Sequence, residues 1–203
     1  MTQGRRVLVV DDDASIRRSL EMLAEAGGLS CTTYPDAESL LREAALETAG
    51  CVVTDVKMPG IGGLELQRLL RERAPDLPVV VLTGHGDLPM ALRALKAGAA
   101  DSIEKPFDGR TFLETVTRAL EDRREALSRK KDQASARALH GRLSPRQAEV
   151  MDLMVAGLSN AQAAEKLGVS IRTVENHRAQ VMEKLEVSSL PDLVRLAIRL
   201  KDA

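Results

Sequence analysis

Val7-Leu8-Val9-Val10-Asp11-Asp12 is an apolar, β-branched run that ends in two carboxylates. Three later runs have the same form: Cys51–Asp55 ends in an acid, Val79–Thr83 in a hydroxyl and Asp101–Lys105 in an ammonium. Apolar runs of this length, separated by helical stretches, are typical of buried parallel strands, whose carboxyl ends collect at one edge of a sheet. The runs therefore predict one rim that carries Asp11, Asp12, Asp55, Thr83 and Lys105.

This set of side chains is suited to accepting a phosphoryl group. Two acids can hold a divalent cation, a third can act as the nucleophile, and a hydroxyl and an ammonium can bind the transferred group. Mg²⁺ would offset the charge of the two anions that must meet, and it typically takes only one or two carboxylates. Lys105 would supply a point charge, which a cis peptide bond before Pro106 would aim.

The first 120 residues alternate between strand-like and helix-like segments. Five βα units with short connections indicate an α/β fold, a doubly wound parallel sheet of flavodoxin-like strand order 2-1-3-4-5. Its switch point lies between the first and third strands, which both end in acids. The predicted strands are 6–11, 30–34, 50–55, 78–83 and 100–104, and the predicted helices are 14–27, 36–48, 63–74, 87–98 and 108–127.

Composition limits the class of protein. The 203 residues, 44% hydrophobic and 29% charged, suit one large or two modest globular domains. No apolar run approaches the roughly 20 residues that span a bilayer, and no signal-peptide pattern precedes the first strand, so a cytoplasmic location without membrane contact is expected. Cys31 and Cys51 lack metal-ligand spacing and are predicted to be buried, reduced thiols rather than a disulfide.

Residues 124–140 are rich in charged residues and helix formers and contain no Gly or Pro, which predicts an exposed helical linker. Leu113, Leu120, Leu127 and Ala134 recur every seven residues. A short coiled-coil seam is therefore an alternative to a solvated helix. The charge balance also changes near this point: acidic residues prevail before it and basic residues after it, as in a cation-binding part joined to a nucleic-acid-binding part.

From Leu143 onward the pattern is that of short helices. Ser144-Pro145 opens a helix that ends at Gly157, and Ser159-Asn160 opens a second that ends at Gly168. A third helix is predicted from Ile171 to Glu186, and Leu190-Pro191 opens a fourth. Two short helices joined by a Gly-containing turn, the second with polar residues, are typical of a helix-turn-helix that binds DNA.

The third helix is the predicted recognition helix. Val174, Val181 and Leu185 share one side at helical periodicity and should be core. Glu175, Asn176 and Ala179 are the predicted base contacts, although Glu175 could merely solvate the helix. The predicted phosphate contacts are Arg172, Thr173, His177, Arg178 and Lys184, of which His177 could equally be a partly buried histidine with a satisfied hydrogen bond.

Three motifs resemble the receiver domain of two-component response regulators, the FixJ subgroup in particular: Lys57-Met58-Pro59-Gly60, Thr83-Gly84-His85-Gly86-Asp87 and Glu104-Lys105-Pro106-Phe107. The resemblance implies that Asp55 is the phosphoacceptor and that Mg²⁺ is held by Asp11, Asp12, Asp55 and the Lys57 backbone carbonyl. It also implies that Thr83 and Lys105 contact the phosphoryl oxygens. Ser102 stands where this family usually has an aromatic switch residue, so phosphoryl binding is expected without an aromatic gate.

Residues 140–203 resemble the LuxR-type DNA-binding domain, through Leu143–Val150, Gly157–Asn160 and Ser170–His177. Ala163 and Glu186 stand where that family commonly has a larger aliphatic residue and a glycine. The two resemblances imply a receiver at 1–123, a linker at 124–140 and a four-helix DNA-binding domain at 141–203. They imply a non-enzymatic transcription regulator with a sensor histidine kinase, promoter DNA, RNA polymerase and a second copy of itself as partners.

Two other functions remain open from the sequence. Asp11-Asp12-Asp13 also supplies the Asp-x-Asp pattern of haloacid dehalogenase-type phosphohydrolases, in which Asp11 would be the nucleophile and Asp13 the acid. Alternatively, Ser102 could mark a regulator that binds DNA without phosphorylation. If phosphorylation does act, residues 89–97 and 100–105 are the predicted dimer surface, because Thr83 precedes the first segment and Lys105 ends the second.

Overall fold

A computed structural model of the chain describes residues 5–201. It divides after Leu127 into two compact units. The first unit contains a single five-stranded sheet, and the described part of the second is helical. None of the helices between residues 5 and 201 is both long and apolar enough to cross a membrane.

The sheet of the first unit is parallel throughout, and its strand order is β2-β1-β3-β4-β5. The predicted α/β class and order 2-1-3-4-5 are confirmed. Each strand is four or five residues long and lies within its predicted range. The strands are β1 Arg6–Val10, β2 Ser30–Tyr34, β3 Cys51–Asp55, β4 Val79–Thr83 and β5 Asp101–Glu104.

Five helices follow these strands in turn: α1 Ala14–Ala26, α2 Ala37–Glu43, α3 Gly63–Arg73, α4 Leu88–Lys96 and α5 Gly109–His140. Helix α2 ends five residues before the predicted position. The chain leaves the helix at Ala44, and Leu46 and Ala49 then pack against the apolar core. The longer helix was predicted from the helix propensity of this segment. Burial of these two side chains outweighs that propensity.

Both faces of the sheet are buried, which explains why the strands are continuous apolar runs. Alternate residues of β1 enter different clusters: Val7 and Val9 pack with Phe112, whereas Leu8 and Val10 pack with Leu66. The two free cysteines, Cys31 and Cys51, are half-buried and buried respectively, and burial raises the pKa of each thiol to about 12. These thiols are therefore poor nucleophiles at neutral pH.

Helix α5 is continuous from Gly109 to His140, so the predicted linker is the last part of this helix. Leu113 and Leu120 are used in the core of the first unit, and Ala134 is exposed. Of the leucines that recur every seven residues, only Leu127 is exposed and could contribute to a coiled-coil seam. The solvated helix is thus favoured over a coiled-coil seam, because the spacing arises from an amphipathic helix that packs on a sheet.

The second unit contains the four predicted helices: α6 Pro145–Val155, α7 Asn160–Leu167, α8 Ile171–Lys184 and α9 Leu190–Lys201. Ser144, Ser159 and Ser170 cap the first three, and the first two caps are complete capping boxes. The core of this unit includes Val150 and Leu193, and it buries one side of α8. The opposite side of α8 is left to solvent.

Candidate functional site

The three predicted acids meet at the carboxyl edge of the sheet. Asp11 follows β1 and Asp55 ends β3, and these strands are neighbours. One carboxylate oxygen from each of Asp11, Asp12 and Asp55 lies within 4.8 Å of the others. The convergence expected from the strand ends is therefore present in the folded chain.

Lys105 completes this cluster from the other side. Its Nζ lies 2.9 Å from Asp11 Oδ2 and 3.4 Å from Asp55 Oδ1. The peptide bond between Lys105 and Pro106 is cis, as the sequence predicted. The cluster thus contains three carboxylates and one ammonium, which contacts two of them. Its net charge is negative, and a divalent cation would offset that charge.

The donor set fits Mg²⁺, which prefers carboxylate and carbonyl oxygens and keeps several of its waters. Both oxygens of Asp11 are already engaged, Oδ1 by the Asp13 backbone N–H at 2.9 Å and Oδ2 by Lys105. The Asp12 carboxylate is exposed and has no hydrogen-bond partner within residues 5–201, and Asp55 is only partly covered. Asp12 and Asp55 are thus the acids best placed to hold the ion directly, with the Lys57 carbonyl following on the same loop.

Burial raises the pKa of Asp55 above its ordinary value. The Lys105 charge opposes this shift, and the negative charge of Asp11 adds to it. A half-buried carboxylate with a raised pKa is a more basic oxygen than an exposed one, and such perturbed groups are common at functional sites. Asp55 therefore stands out chemically among the acids of this cluster.

Asp13 plays a structural part. Its Oδ1 accepts hydrogen bonds from the Ser15 backbone N–H at 2.8 Å and from the Ser15 hydroxyl, so that Asp13 caps α1. These two bonds lower the pKa of Asp13. A capping carboxylate that favours its ionised form is poorly suited to donate a proton, which weighs against the phosphohydrolase interpretation.

Thr83 is buried at the end of β4, and its hydroxyl donates to the Ile103 carbonyl at 3.4 Å. In this arrangement the hydroxyl is directed at β5 and is not hydrogen-bonded to Asp55. Ser102 is half-buried on β5 beside Val81. The smaller serine leaves this position of β5 without the aromatic ring that the family usually carries.

Lys57 makes a contact at this rim that was not predicted from the sequence. Its carbonyl was the expected functional group, yet its Nζ also lies 2.7 Å from Asp87 Oδ2. Asp87 occupies the N-cap position of α4 but makes no side-chain capping bond, unlike Asp13 and Asp36 at their helices. The carboxylate that would have capped α4 is thus used to bind the lysine.

A second unpredicted contact joins His85 to the end of β5. Its Nδ1 lies 3.1 Å from Glu104 Oε1. Both this contact and the one between Lys57 and Asp87 hold the segment between Thr83 and α4. No spacing rule in the sequence indicates either of them.

On α8, Val174, Val181 and Leu185 are buried as predicted. The opposite side is free of the core: the exposed residues there include Arg172 and the three predicted base contacts, Glu175, Asn176 and Ala179. A surface of this kind, on the second helix of a helix-turn-helix, can enter the major groove of DNA.

Thr173 and Arg178, which were predicted to contact DNA phosphates, form hydrogen bonds within the second unit. Thr173 is half-buried, and its hydroxyl is hydrogen-bonded to that of Ser170 at 2.8 Å. Arg178 is also half-buried and donates to the Leu158 carbonyl at 3.4 Å. To contact a phosphate, each of these side chains would have to share or leave its present partner.

Lys184 is held by Gln147, which lies within the Leu143–Val150 stretch that resembles the LuxR-type domain. Gln147 is a buried centre of hydrogen bonds: its Nε2 donates to Gln180 at 2.8 Å, and its Oε1 accepts from Lys184 Nζ at 2.8 Å. Lys184 Nζ also donates to the Arg142 carbonyl. Lys184 therefore has a structural part in the fold of this unit.

His177 is half-buried, and its Nδ1 is buried without a hydrogen-bond partner in the described part of the chain. A partly buried histidine with a satisfied hydrogen bond was the alternative interpretation of His177. Its Nδ1 does not fit that interpretation, because it has no hydrogen-bond partner among the described residues. Among the predicted phosphate contacts, Arg172 is exposed and is the least committed to the fold.

Two family models match the chain. Residues 7–117 match the response regulator receiver domain, and residues 141–197 match the bacterial regulatory proteins of the luxR family. The first match contains the acidic cluster and Lys105, and the second contains α8. A receiver domain followed by a LuxR-type domain indicates a transcriptional response regulator.

Relatives match over nearly the whole chain. The transcriptional regulatory protein FixJ of Azorhizobium caulinodans is 44% identical over 200 residues, which cover 98% of this chain and 94% of that protein. FixJ of Bradyrhizobium diazoefficiens is 40% identical over 202 residues, which cover 98% of this chain and 97% of that protein.

Solved structures agree with these matches. The response regulator StyR superposes with a TM-score of 0.80 at 38% identity, over 96% of this chain and 98% of that one. Full-length FixJ from B. japonicum superposes with a TM-score of 0.62 at 38% identity, over all of both chains. The chain therefore belongs to the response regulators that join a receiver domain to a LuxR-type DNA-binding domain.

Proposed function

We propose that the protein accepts a phosphoryl group on Asp55 from a sensor histidine kinase, dimerises and binds promoter DNA to regulate transcription with RNA polymerase. This function would be carried out in the cytoplasm. The observation that carries the proposal is the cluster of Asp11, Asp12 and Asp55 with the Lys105 ammonium 3.4 Å from Asp55. The domain boundaries proposed with it are 1–123, 124–140 and 141–203.

The chemical step is a transfer from nitrogen to oxygen. An Asp55 carboxylate oxygen forms a bond to phosphorus, the bond from phosphorus to the histidine nitrogen breaks, and the imidazole leaves with that electron pair and takes up a proton. Mg²⁺, when bound, offsets the charge of the two anions that meet. Lys105 lies close enough to Asp55 to bind an oxygen of the transferred group, and Thr83 would reach it by leaving the Ile103 carbonyl.

The surface of α4 and β5 is the proposed dimer interface. Leu88, Leu92 and Leu95 follow each other at helical spacing on α4, and all three are exposed. An exposed apolar row of this kind is typical of a surface that a partner covers. Because Thr83 precedes α4 and Lys105 follows β5, a phosphoryl group bound by both can alter this surface.

Phosphorylation is tested with a small acyl phosphodonor and Mg²⁺. Intact-mass measurement should show one added phosphoryl group on the wild type and none on Asp55→Asn. Asp12→Ala should also lose labelling, because the metal is lost. Equal labelling of Asp55→Asn would contradict the assignment, and continuous release of phosphate from Asp11 in that variant would favour a phosphohydrolase. Unchanged DNA affinity on labelling would favour the phosphorylation-independent regulator.

DNA recognition is tested by selecting binding sites from random sequences. Two recognition helices of a dimer should contact half-sites about 34 Å apart in a twofold-symmetric site. Asn176→Ala should change the preference at one base position by about 1–3 kcal/mol. Arg172→Ala should weaken all sequences nearly equally and flatten the salt dependence, and it is a cleaner phosphate variant than Arg178→Ala, which also removes a bond to Leu158. Unchanged preference in Asn176→Ala would show that its role is wrongly assigned.

A further inference from the structure

We propose that Arg17 is a positioning residue for Mg²⁺ binding, which acts by holding the backbone of the acidic loop. The inference rests on the metal site of the proposed function. Arg17 lies in the first turns of α1 and is half-buried. Its Nη1 donates to two consecutive carbonyls, that of Asp11 at 2.7 Å and that of Asp12 at 3.0 Å.

The two acids of the loop differ in how their side chains are held. Asp11 is buried, and both of its carboxylate oxygens have partners, the Asp13 N–H and Lys105. Asp12 is exposed, and its carboxylate has no hydrogen-bond partner between residues 5 and 201. The direction of the Asp12 side chain is therefore set by its own backbone. Arg17 holds that backbone at the carbonyl, so the contact acts mainly on Asp12.

The charge of Arg17 acts on Asp36, but it cannot by itself promote the binding of a cation. A guanidinium close to a cation site repels the cation, and Lys105 already supplies a positive charge to the cluster. Loss of the Arg17 charge alone would strengthen Mg²⁺ binding, whereas loss of its two hydrogen bonds would weaken it, because Asp12 would no longer be held in place. The two roles thus predict opposite signs for the same substitution.

The test compares Arg17→Met with Arg18→Met in the full chain, by calorimetric titration with Mg²⁺ and no phosphodonor. Arg18 is the matched control because it is exposed and has no hydrogen bond or ion pair within the described residues. Arg17→Met should bind Mg²⁺ about 10–100-fold more weakly, the usual effect of removing a group that supports metal ligands. Arg18→Met should bind as the wild type does. Arg17→Lys should fall between, because a lysine keeps the charge and its shorter side chain can hold the two carbonyls only in part.

Equal or tighter Mg²⁺ binding by Arg17→Met would overturn the inference. If Arg17→Met lowers the melting temperature, Arg17→Lys decides: wild-type affinity in that folded variant would also overturn it. The outcome is separable from that of the proposed function. Failure of the wild type to take up a phosphoryl group, with Mg²⁺ bound normally, would reject the proposed function alone, and a wild type that binds no Mg²⁺ would reject both.

Discussion

Asp55 combines partial burial with a negatively charged neighbour. Burial raises its pKa, Lys105 lowers it and Asp11 raises it further. The folded state therefore holds the Asp55 proton more tightly than the unfolded state does. Ionisation of Asp55 above its raised pKa costs the folded state free energy, and this cost disappears once the pH falls below the unfolded value of about 3.9. The proposed phosphoacceptor is thus a position where the ionised carboxylate lowers the stability of the fold.

Asp55→Asn should accordingly raise the free energy of unfolding at neutral pH, by about 0.5–2 kcal/mol, the usual range for a single stabilising substitution. The gain should shrink as the pH falls towards about 3.9, because the wild-type carboxyl then becomes neutral. Denaturant unfolding of both proteins over this range, without Mg²⁺, measures the difference. Asp122→Asn, at an exposed position on α5, is the matched control and should change stability little at any pH. A destabilised Asp55→Asn at neutral pH would contradict the argument.

The end of α8 carries Glu186 at a position where LuxR-type domains commonly have glycine. Glu186 follows α8 with φ +56, a left-handed conformation that favours glycine. The Glu186 N–H donates to the Glu183 carbonyl and the Val187 N–H to the Met182 carbonyl, both at 3.1 Å, which is the Schellman pattern. Gly168 ends α7 in the same conformation. Glu186 is therefore a strained residue in a turn whose conformation favours glycine.

Glu186→Gly should stabilise the second unit by about 0.5–1 kcal/mol, because it removes the left-handed strain. The substitution also removes an exposed ion pair with Arg142, which contributes little. Glu183→Gly is the matched control, since the same change inside α8 should destabilise the unit by about 1 kcal/mol. Thermal unfolding of the two variants measures whether stability rises in Glu186→Gly and falls in Glu183→Gly. Loss of stability in both would show that the strain at Glu186 is not relieved by glycine.

At the scale of the whole molecule, the exposed leucines of α4 are the proposed interface with a second copy. Leu92 should be the most sensitive of them, because it lies in the middle of the row. Leu92→Glu should still be labelled at Asp55 but should remain monomeric, since a charge in an apolar interface is costly to bury. Sedimentation with and without phosphodonor measures this.

Met22→Glu is the control for Leu92→Glu. Met22 is 63% exposed on α1, and the same substitution there should leave phosphorylation-dependent dimerisation unchanged. If Leu92→Glu dimerises as well as the wild type, the interface lies elsewhere. If Met22→Glu alone stays monomeric, α1 and not α4 carries it.

Much of the fold and site could be predicted from local patterns. Apolar runs, their acidic ends and their helical spacers indicated the strand order, and strand order alone places Asp11 beside Asp55. Capping residues likewise indicated the starts of α6, α7 and α8. These features are local because they depend on backbone periodicity and on hydrogen bonds between near neighbours in the chain.

Other features depend on packing between distant segments. Lys105 meets Asp11 across 94 residues of sequence, and the direction of the Thr83 hydroxyl follows from the position of β5. The early end of α2 and the use of Leu120 in the core are likewise outcomes of burial that local propensity does not contain. Side-chain direction depends on which neighbours occupy the surrounding space, and only the folded chain brings those neighbours together.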